Sequence, residues 1–466
     1  MNVSWFDGCS MYQIFPLGLC GSPHENSWDW SNTWNAASRP VRRVDRILKW
    51  IPHLKKLGID SVWFNLALQS DTHGYNTRDF YTLDSRLGSN EDFAEVCQAI
   101  HEAGIRIVFD ALFFNVGRGF WAFRDIRNNL QNSQFASWFK EIDFNRNTPC
   151  NDGFYYKAWD GNWDLPELNL ENEDVIQHIF GAIRKSEDLY RFDGFHLCLA
   201  ERLPKKFVER FRAFCADMSA GLGGNIAIVD EMYDSINCER LFSETQVQSA
   251  ENRELRESVC ESFNKKNIFD LAYTLNREFG LDGIYKNVSM MNFLDNHNLP
   301  RFATAIKDKS LVPLGWKFLI ALPGFPCIYY GSEWGVEGWH DENHWVMRPE
   351  FEQPEWNELT EQIQKALSAR KASPALRYGN YRQIFQATEQ LVFERESCGE
   401  KVVVALNISE YEYKVPIKSG GGYAAFAGLF GDFEEMIDGD TRRYDGEFYL
   451  PPKSVMYLKR LQNGLA

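Results

Sequence analysis

The chain has 466 residues and 44% of them are hydrophobic, so a large folded core is expected and extensive disorder is excluded. A formal net charge of −15 argues against nucleic acid and anionic membrane surfaces as partners. It favours a neutral sugar or polysaccharide, and the 15% aromatic content suits stacking on sugar faces as well as core packing.

The ten cysteines form no CxxC pair and lie scattered through apolar stretches, which favours free thiols over a disulfide framework. The first residues, MNVSWFDGCSMYQIF, contain no basic region followed by an apolar run, so no signal peptide is predicted. No apolar stretch approaches the roughly 20 residues that a membrane-spanning helix needs. We therefore expect a cytoplasmic protein without a membrane partner.

Short apolar segments alternate with segments of helical periodicity along the first 373 residues. Strands are predicted at 10–15, 61–65, 105–112, 195–200, 225–232, 259–263, 289–294 and 326–330. Helices are predicted at 44–57, 91–103 (with an N-cap at Asn90), 174–186 and 204–218. Eight strands with intervening helices predict an α/β fold, a (β/α)8 TIM barrel.

The alternation breaks at two places. Residues 115–169, after the third strand, are rich in Asn, Asp, Gly and aromatic side chains and are too long for an ordinary loop, which predicts an inserted lid domain. Beyond residue 373, runs such as QLVFERE and KVVVALNI between glycine-rich turns predict an antiparallel C-terminal β-sandwich domain over 374–466. The barrel would then comprise 1–114 and 170–373.

Polar residues cluster after the predicted strands, at the end of a barrel where catalytic residues lie. His196 and Cys198 would share one face of the fourth strand, because alternate side chains of a strand point the same way. Other polar residues at strand ends are Tyr75, Asp110, Asn115, Asp230, Glu231, Asp295, Asn296, His297 and Asn298. Their convergence predicts one site at the barrel mouth.

Several of these segments resemble motifs of the α-amylase family, glycoside hydrolase family 13. The motifs are HGYNTRDFY, DALFFN, LPELN, GFHLCLA, VDEMYD, FLDNHN and GFPCIYYGSEWG. The resemblance covers nearly the whole chain and looks closest to the bacterial cyclomaltodextrinase, neopullulanase and maltodextrin glucosidase group. It implies the same barrel, inserted domain and C-terminal β domain.

The resemblance also implies a retaining double displacement, in which one carboxylate attacks the anomeric carbon and a second group acts as acid, then base. Glu231 occupies the acid/base position, and Tyr75 that of a sugar-stacking tyrosine. The candidate substrate-binding residues are Tyr75, Asp110, Asn115, His196 and His297, together with Trp159 as an aromatic side chain of the predicted lid.

Five positions depart from the family pattern. Cys198 occupies the nucleophile position, and Asn298 occupies the position of the third carboxylate. Cys198, Asn298 and Glu231 are therefore the three residues at catalytic positions. His196 replaces the arginine that normally pairs with the nucleophile. Val116 and Asn76 replace a histidine and an aspartate. The motifs thus predict an amylase-type scaffold with a degenerate catalytic site.

The leading hypothesis is a protein that binds α-glucan or maltooligosaccharide, with ordinary retaining hydrolysis absent or very weak. One alternative is altered chemistry on an unusual glycoside, with Glu231 as acid/base and a Cys198 thiolate whose pKa is lowered by His196 or His297.

A second alternative is a hydrolase that recruits another carboxylate, Asp295 or Asp230. A third is a zinc-type site built from His196, Cys198, Glu231 and His297. The leading hypothesis needs neither cofactor nor metal, and a homodimer is among the assemblies expected.

Overall fold

The computed structural model describes residues 5–26, 40–222, 225–232, 247–286, 288–339, 344–416, 429, 431–445 and 447–461. Eight parallel strands close into a barrel in chain order, which confirms the predicted TIM barrel. The strands are β1 (Met11–Ile14), β2 (Ser61–Phe64), β3 (Arg106–Ala111), β4 (Gly194–Leu197), β5 (Ala227–Asp230), β6 (Ser249–Glu251), β7 (Ser289–Phe293) and β8 (Phe325–Tyr329).

Most of the described helices pack around the outer face of the barrel. They are α1 (Pro16–Leu19), α2 (Trp50–Leu57), α3 (Asn90–Glu102), α4 (Trp121–Asn129), α5 (Glu173–Tyr190), α6 (Lys205–Leu222), α7 (Arg253–Lys265), α8 (Phe269–Phe279), α9 (Phe302–Ala305), α10 (Val312–Ile320), α11 (Glu358–Ala372) and α12 (Pro374–Tyr378). Local sequence defines some of the ends: Ser89 and Asp92 form a capping box at α3, and the Asn172 side chain caps α5. None of the described helices combines the length and hydropathy that a bilayer crossing requires.

The barrel wall is buried on both faces, which explains why most of its strands are short, continuous apolar runs. Outward-facing side chains pack under the helices. Inward-facing side chains form a separate apolar cluster that includes Met11, Trp63, Val229, Met291 and Phe325. The polar site lies above this cluster, so the barrel interior is a packed floor for the site.

Two strand predictions were wrong in ways that affect the site. The segment predicted as the sixth strand, 259–263, lies inside α7, and the actual β6 is the three-residue segment Ser249–Glu251. The fourth strand ends at Leu197, so Cys198 lies just beyond it, and Leu199 adopts a left-handed backbone conformation with φ 48°. The segment predicted as one helix over 44–57 begins as a 3₁₀ helix, Val44–Lys49, before α2.

The segment after β3 differs in character from the barrel, as the sequence predicted. Over 115–169 it contains α4 and three short 3₁₀ helices, Leu130–Asn132, Ala136–Trp138 and Trp159–Gly161. Isolated bridges pair Asn115 with Glu167 and Phe139 with Leu168, so the two ends of the segment lie side by side. Its status as a separate lid domain stays a prediction.

The C-terminal part is antiparallel, as predicted. Its strands are β9 (Asn380–Gln386), β10 (Gln390–Ser397), β11 (Glu400–Asn407), β12 (Tyr413–Val415), β13 (Gly431–Glu435), β14 (Thr441–Tyr444), β15 (Phe448–Leu450) and β16 (Ser454–Arg460). They form a six-stranded sheet in the order β14-β13-β16-β11-β10-β9 and the pair β12-β15. The nine cysteines within the described residues are all free, and Cys238 lies outside them.

The turn before β8 is a point where backbone geometry demands glycine. Gly324 has φ +84°, and a Cβ there would lie 2.1 Å from the Met290 carbonyl oxygen. Gly58, after α2, has φ +90°, but a Cβ added there would meet nothing within 4 Å. Gly58→Ala should therefore cost about 1–2 kcal/mol of unfolding free energy from backbone strain alone. Gly324→Ala should cost a further ~1–3 kcal/mol, measured by urea denaturation, and equal losses would contradict this geometry.

Candidate active site

Asp110, on β3, is the centre of a buried polar cluster. Its Oδ1 accepts hydrogen bonds from Trp63 Nε1 at 2.7 Å and His196 Nδ1 at 2.9 Å. Its Oδ2 accepts from the Tyr75 hydroxyl and from Asn65 Nδ2, both at 3.0 Å. Burial opposes ionisation, yet the hydrogen bond and charge of His196 outweigh it and lower the pKa of Asp110. Asp110 is therefore an anion held rigidly by donors.

His196, on β4, lies between two carboxylates. Its Nδ1 faces Asp110 and its Nε2 lies 3.2 Å from Oε1 of Glu251 on β6. The Trp63 ring covers it, with ring centroids 4.0 Å apart. Burial alone would lower the pKa of His196, but the bonds to Asp110 and Glu251 raise it to about 10. The ring is thus an imidazolium that donates from both nitrogens.

Cys198 lies at the position where the motif comparison expects a nucleophile. Its backbone N–H donates to the Ala111 carbonyl at 3.0 Å, and its Sγ lies 3.9 Å from His196 Nδ1. Burial, followed by the charges of Asp110 and Glu231, raises the thiol pKa well above its ordinary value. His196 was expected to lower that pKa, but its protons are directed at carboxylates. Cys198 is therefore a neutral thiol here, and the thiolate hypothesis lacks physical support.

Glu231 follows β5 directly and is buried. Its Oε2 accepts a hydrogen bond from the Leu199 backbone N–H at 3.0 Å, and the left-handed turn at Leu199 presents that N–H. Burial and then the charge of Glu251 raise the pKa of Glu231 to about 7. At neutral pH a large share of Glu231 carries a proton, which suits a general acid.

His297 and Tyr75 form a stacked pair beside Asp110. Their ring centroids lie 5.5 Å apart with an interplanar angle of 5°. Gln13 Nε2 donates to His297 Nδ1 at 2.8 Å, which leaves the His297 Nε2 proton to donate to the Tyr75 hydroxyl at 2.6 Å. Tyr75 in turn donates to Asp110. This chain of donors fixes the orientation of both rings.

Asn298 is held by an arginine that the sequence did not single out. Arg348 Nη2 donates to Asn298 Oδ1 at 3.1 Å, and Arg348 Nε donates to the His297 carbonyl at 3.4 Å. The guanidinium carbon lies 4.4 Å from the Phe15 ring centroid. Burial lowers the pKa of Arg348. The arrangement places a buried guanidinium beside a neutral amide.

The remaining two sequence candidates lie further from Asp110. Asn115 is buried, and its Nδ2 donates to the Tyr75 backbone carbonyl at 3.0 Å, so it supports the loop that carries the stacked pair. Trp159 packs against Phe114, with ring centroids 6.1 Å apart. The Trp159 Nε1 atom is buried without a hydrogen-bond partner in the described structure.

Two other carboxylates were weighed as replacements for the nucleophile. Asp230 Oδ2 accepts from Arg212 Nη2 at 2.5 Å. Asp295 accepts from the Phe302 backbone N–H at 2.7 Å and from the Ser332 hydroxyl at 2.7 Å. Both side chains are therefore engaged away from the Asp110 cluster, and the geometry gives no support to the hypothesis that they were recruited.

Within the described residues, Asp110, His196 and Cys198 place three potential metal-ligating atoms within 4.8 Å of one another. The sequence suggested Glu231 and His297 as further ligands beside His196 and Cys198, but the structure groups Asp110 with these two residues instead. Both nitrogens of His196 already face carboxylates, and the thiol is neutral. These protonation states favour a hydrogen-bonded cluster over a metal site.

Sequence reasoning missed five residues that build the site: Gln13, Trp63, Asn65, Glu251 and Arg348. Gln13 lies in the second half of β1 and Asn65 directly follows β2, so a search for polar residues near the strand ends could have found them. Glu251 was missed because the sixth strand was predicted at 259–263 and not at Ser249–Glu251. Arg348 lies beyond β8, in a segment without a recognised motif.

The comparisons with known proteins agree with this architecture. Residues 44–376 match the family model described as alpha amylase, catalytic domain. A cyclomaltodextrinase of Thermoanaerobacter pseudethanolicus is 26% identical over 98% of this chain and 78% of its own length. Neopullulanase 2 of Thermoactinomyces vulgaris is 27% identical over 86% of this chain and 70% of its own.

Solved structures show the same fold. A cyclic alpha-maltosyl-(1→6)-maltose hydrolase from Arthrobacter globiformis superposes with a TM-score of 0.78 at 23% identity, over 98% of this chain and 100% of its own. A cyclomaltodextrinase superposes with a TM-score of 0.80 at 22% identity, over 98% and 78%. Since the family model spans most of the chain, including the strands that carry Asp110, His196 and Glu231, this protein belongs to the α-amylase family.

Proposed function

We propose that this protein binds a neutral α-glucan or maltooligosaccharide and that its ordinary retaining glycosidase activity is absent or very weak. The observation that carries the proposal is a neutral thiol at Cys198 inside an otherwise ordered polar site. Asn298 is likewise neutral at the position of the third carboxylate. The relatives have names that refer to maltodextrin and pullulan breakdown, which supports this ligand class.

The expected loss of activity follows from charge. Retaining hydrolysis passes through an oxocarbenium-like transition state and needs a carboxylate to form the glycosyl intermediate. A buried neutral thiol and an amide supply no negative charge at those positions. Removal of a nucleophile from a preorganised site costs on the order of 10⁴–10⁶-fold in kcat. Binding is less affected, because stacking and hydrogen bonding need neither group.

The features that support sugar binding are a stacked aromatic pair and fixed polar groups. The Tyr75 and His297 rings are held parallel, and the Tyr75 ring is only half-buried. Asp110 holds the Tyr75 hydroxyl in place, and Asn298 and Arg348 place an amide and a guanidinium in fixed positions nearby. Rigid polar and aromatic groups lower the entropy cost of ligand binding.

A second candidate function keeps some chemistry. Glu231 remains as a carboxyl with a pKa of about 7, so an acid is available even though the thiolate route is not. Altered chemistry on an unusual glycoside therefore depends on Glu231 together with a base other than Cys198. The cytoplasmic location and the homodimer stay predictions.

The proposal predicts that maltotriose binds measurably and that Tyr75→Ala weakens the binding by about tenfold or more, because loss of the stacking surface removes about 1.4 kcal/mol. Isothermal titration calorimetry measures the affinity. Tyr273→Ala is the control, since Tyr273 is 70% exposed on α8. Absence of maltotriose binding would refute the proposed sugar-binding function. Maltotriose turnover near that of active relatives would refute the proposed loss of glycosidase activity.

A further inference from the structure

Arg348 brings a buried positive charge to the candidate sugar site. Its guanidinium carbon lies 5.9 Å from the centroid of the Tyr75 ring, and its Nη2 donates to the Asn298 amide oxygen at 3.1 Å. Only 5% of the residue is exposed. A guanidinium does not lose its proton in proteins, so this charge is permanent. A buried permanent charge requires compensation from the groups around it.

No carboxylate compensates the charge of Arg348 within the part of the chain that the structure describes. Its hydrogen-bond acceptors there are two neutral groups, the Asn298 amide oxygen and, at 3.4 Å, the His297 backbone carbonyl. The Phe15 ring, 4.4 Å away, adds a cation–π contact, which stabilises a cation less than a carboxylate does. Burial is the largest influence on the pKa of Arg348 and lowers it, as expected for a poorly compensated cation.

Two other buried arginines show how this fold usually holds such a charge. Arg86 forms an ion pair with Asp84, with 2.7 Å between Nη2 and Oδ2. Arg370 donates to three backbone carbonyls within residues 320–324, at the end of a helix where the peptide dipoles favour a cation. Arg348 has neither arrangement, so its guanidinium keeps the capacity to bind a further acceptor.

The negative groups of the site are engaged elsewhere. Asp110 and Glu251 both face His196, at 2.9 and 3.2 Å. The carboxylate that the motif comparison expects beside Arg348 is the amide of Asn298. The protein therefore provides the cation of a potential ion pair in the sugar site without the matching anion, and a ligand can supply that anion.

We propose that the ligand of this site is a maltose-type oligosaccharide with one anionic group, a carboxylate or a phosphate, and that Arg348 binds this group. The inference rests on the sugar-binding function proposed above and specifies its ligand. A guanidinium presents paired N–H donors that match two oxygen atoms of a carboxylate or phosphate. Neutral maltooligosaccharides still bind at Tyr75, but less tightly. The net charge of −15 does not prevent anion binding, because exposed charges more than about 8–10 Å away are largely screened.

The test compares four disaccharides by isothermal titration calorimetry on the full-length protein: maltose, maltose 1-phosphate, maltose 6′-phosphate and maltobionate. At least one anionic sugar should bind about 10-fold or more tightly than maltose, the effect of charge-assisted hydrogen bonds. The two phosphates and the carboxylate distinguish the two kinds of anion. If none of the three binds more tightly than maltose, the role of Arg348 is overturned.

Two variants remove the preference for an anion in different ways. Arg348→Met removes the cation, and Asn298→Asp supplies an internal anion 3.1 Å from it, so both should bind anionic sugars no more tightly than maltose. Arg46→Met is the matched control, since Arg46 lies outside the site and pairs with Glu350 at 2.6 Å. A preference that survives in Arg348→Met or in Asn298→Asp, or that is lost equally in Arg46→Met, would contradict the assignment.

The stability of Arg348→Met separates a ligand-binding arginine from a structural one. The midpoint of urea denaturation should stay unchanged or rise, because the substitution removes an unpaired buried charge. A lower midpoint would show that Arg348 supports the fold and would count against ligand binding. If maltose and all three anionic sugars fail to bind, the sugar-binding function itself is wrong, whereas maltose binding without an anion preference overturns only the role of Arg348.

Discussion

Replacement of His196 by alanine should lower the free energy of unfolding by about 3–5 kcal/mol at pH 7, the range for breaking a buried ion pair. The substitution leaves Asp110 and Glu251 buried without the cation between them. It also removes the ring that packs against Trp63. Urea denaturation followed by tryptophan fluorescence measures the loss, and circular dichroism verifies that the variant folds.

The same residue predicts a pH dependence. The pKa of His196 is raised from 6.5 to about 10 in the folded state, so that state binds more protons than the unfolded chain between these values. The stabilisation is complete below about pH 6.5 and is lost as the pH rises through about 10. The difference in unfolding free energy between wild type and His196→Ala should therefore shrink from pH 6.5 to 9.5.

His101→Ala is the matched control. His101 lies 3.1 Å from Asp193, but both side chains are partly exposed, at 29% and 28%. An exposed pair of this kind contributes about 0–1 kcal/mol. A loss at His196 no larger than that at His101, or a difference that does not change with pH, would show that His196 is not the doubly bonded cation described above.

Restoration of the family residues should produce the second large effect. The variant His196→Arg/Cys198→Asp/Asn298→Asp should hydrolyse maltotriose at least about 100-fold faster than wild type, part of the ~10⁴–10⁶-fold that a nucleophile contributes. Glu231 remains as the acid, and the Tyr75–His297 pair is already in place. Arg348, 3.1 Å from the amide oxygen of Asn298, would meet an aspartate as an ion pair. Reducing-sugar release measures the rate.

The comparison variant carries Cys198→Asn in the same background, which keeps the size of aspartate without its charge. It should show no gain, and addition of Glu231→Gln to the restored variant should abolish the gain. If the restored variant folds and binds maltotriose but remains inactive, the scaffold has diverged beyond these three positions. The restored variant should release the α-anomer first, as a retaining route requires.

The barrel was predictable because its signals are local. Strands such as β2 and β8 are buried on both faces, so their sequences are continuous apolar runs between helices. The signal failed at β6, where Ser249, Ala250 and Glu251 contain no apolar run. All three residues are buried, and their pairing with β5 and β7 exists only once the barrel closes.

The sequence by itself determined the family, the barrel and the location of Asp110, His196 and Glu231 at one site. The C-terminal ends of all eight strands of a TIM barrel meet at the same face, so the exact strand boundaries are not needed. It also determined that Cys198 and Asn298 lack the charge of a carboxylate. Only the tertiary structure decided that His196 is a cation between Asp110 and Glu251 and that Cys198 stays a neutral thiol. Protonation depends on burial and on charges brought within a few ångströms from distant parts of the chain, and no local pattern records those distances.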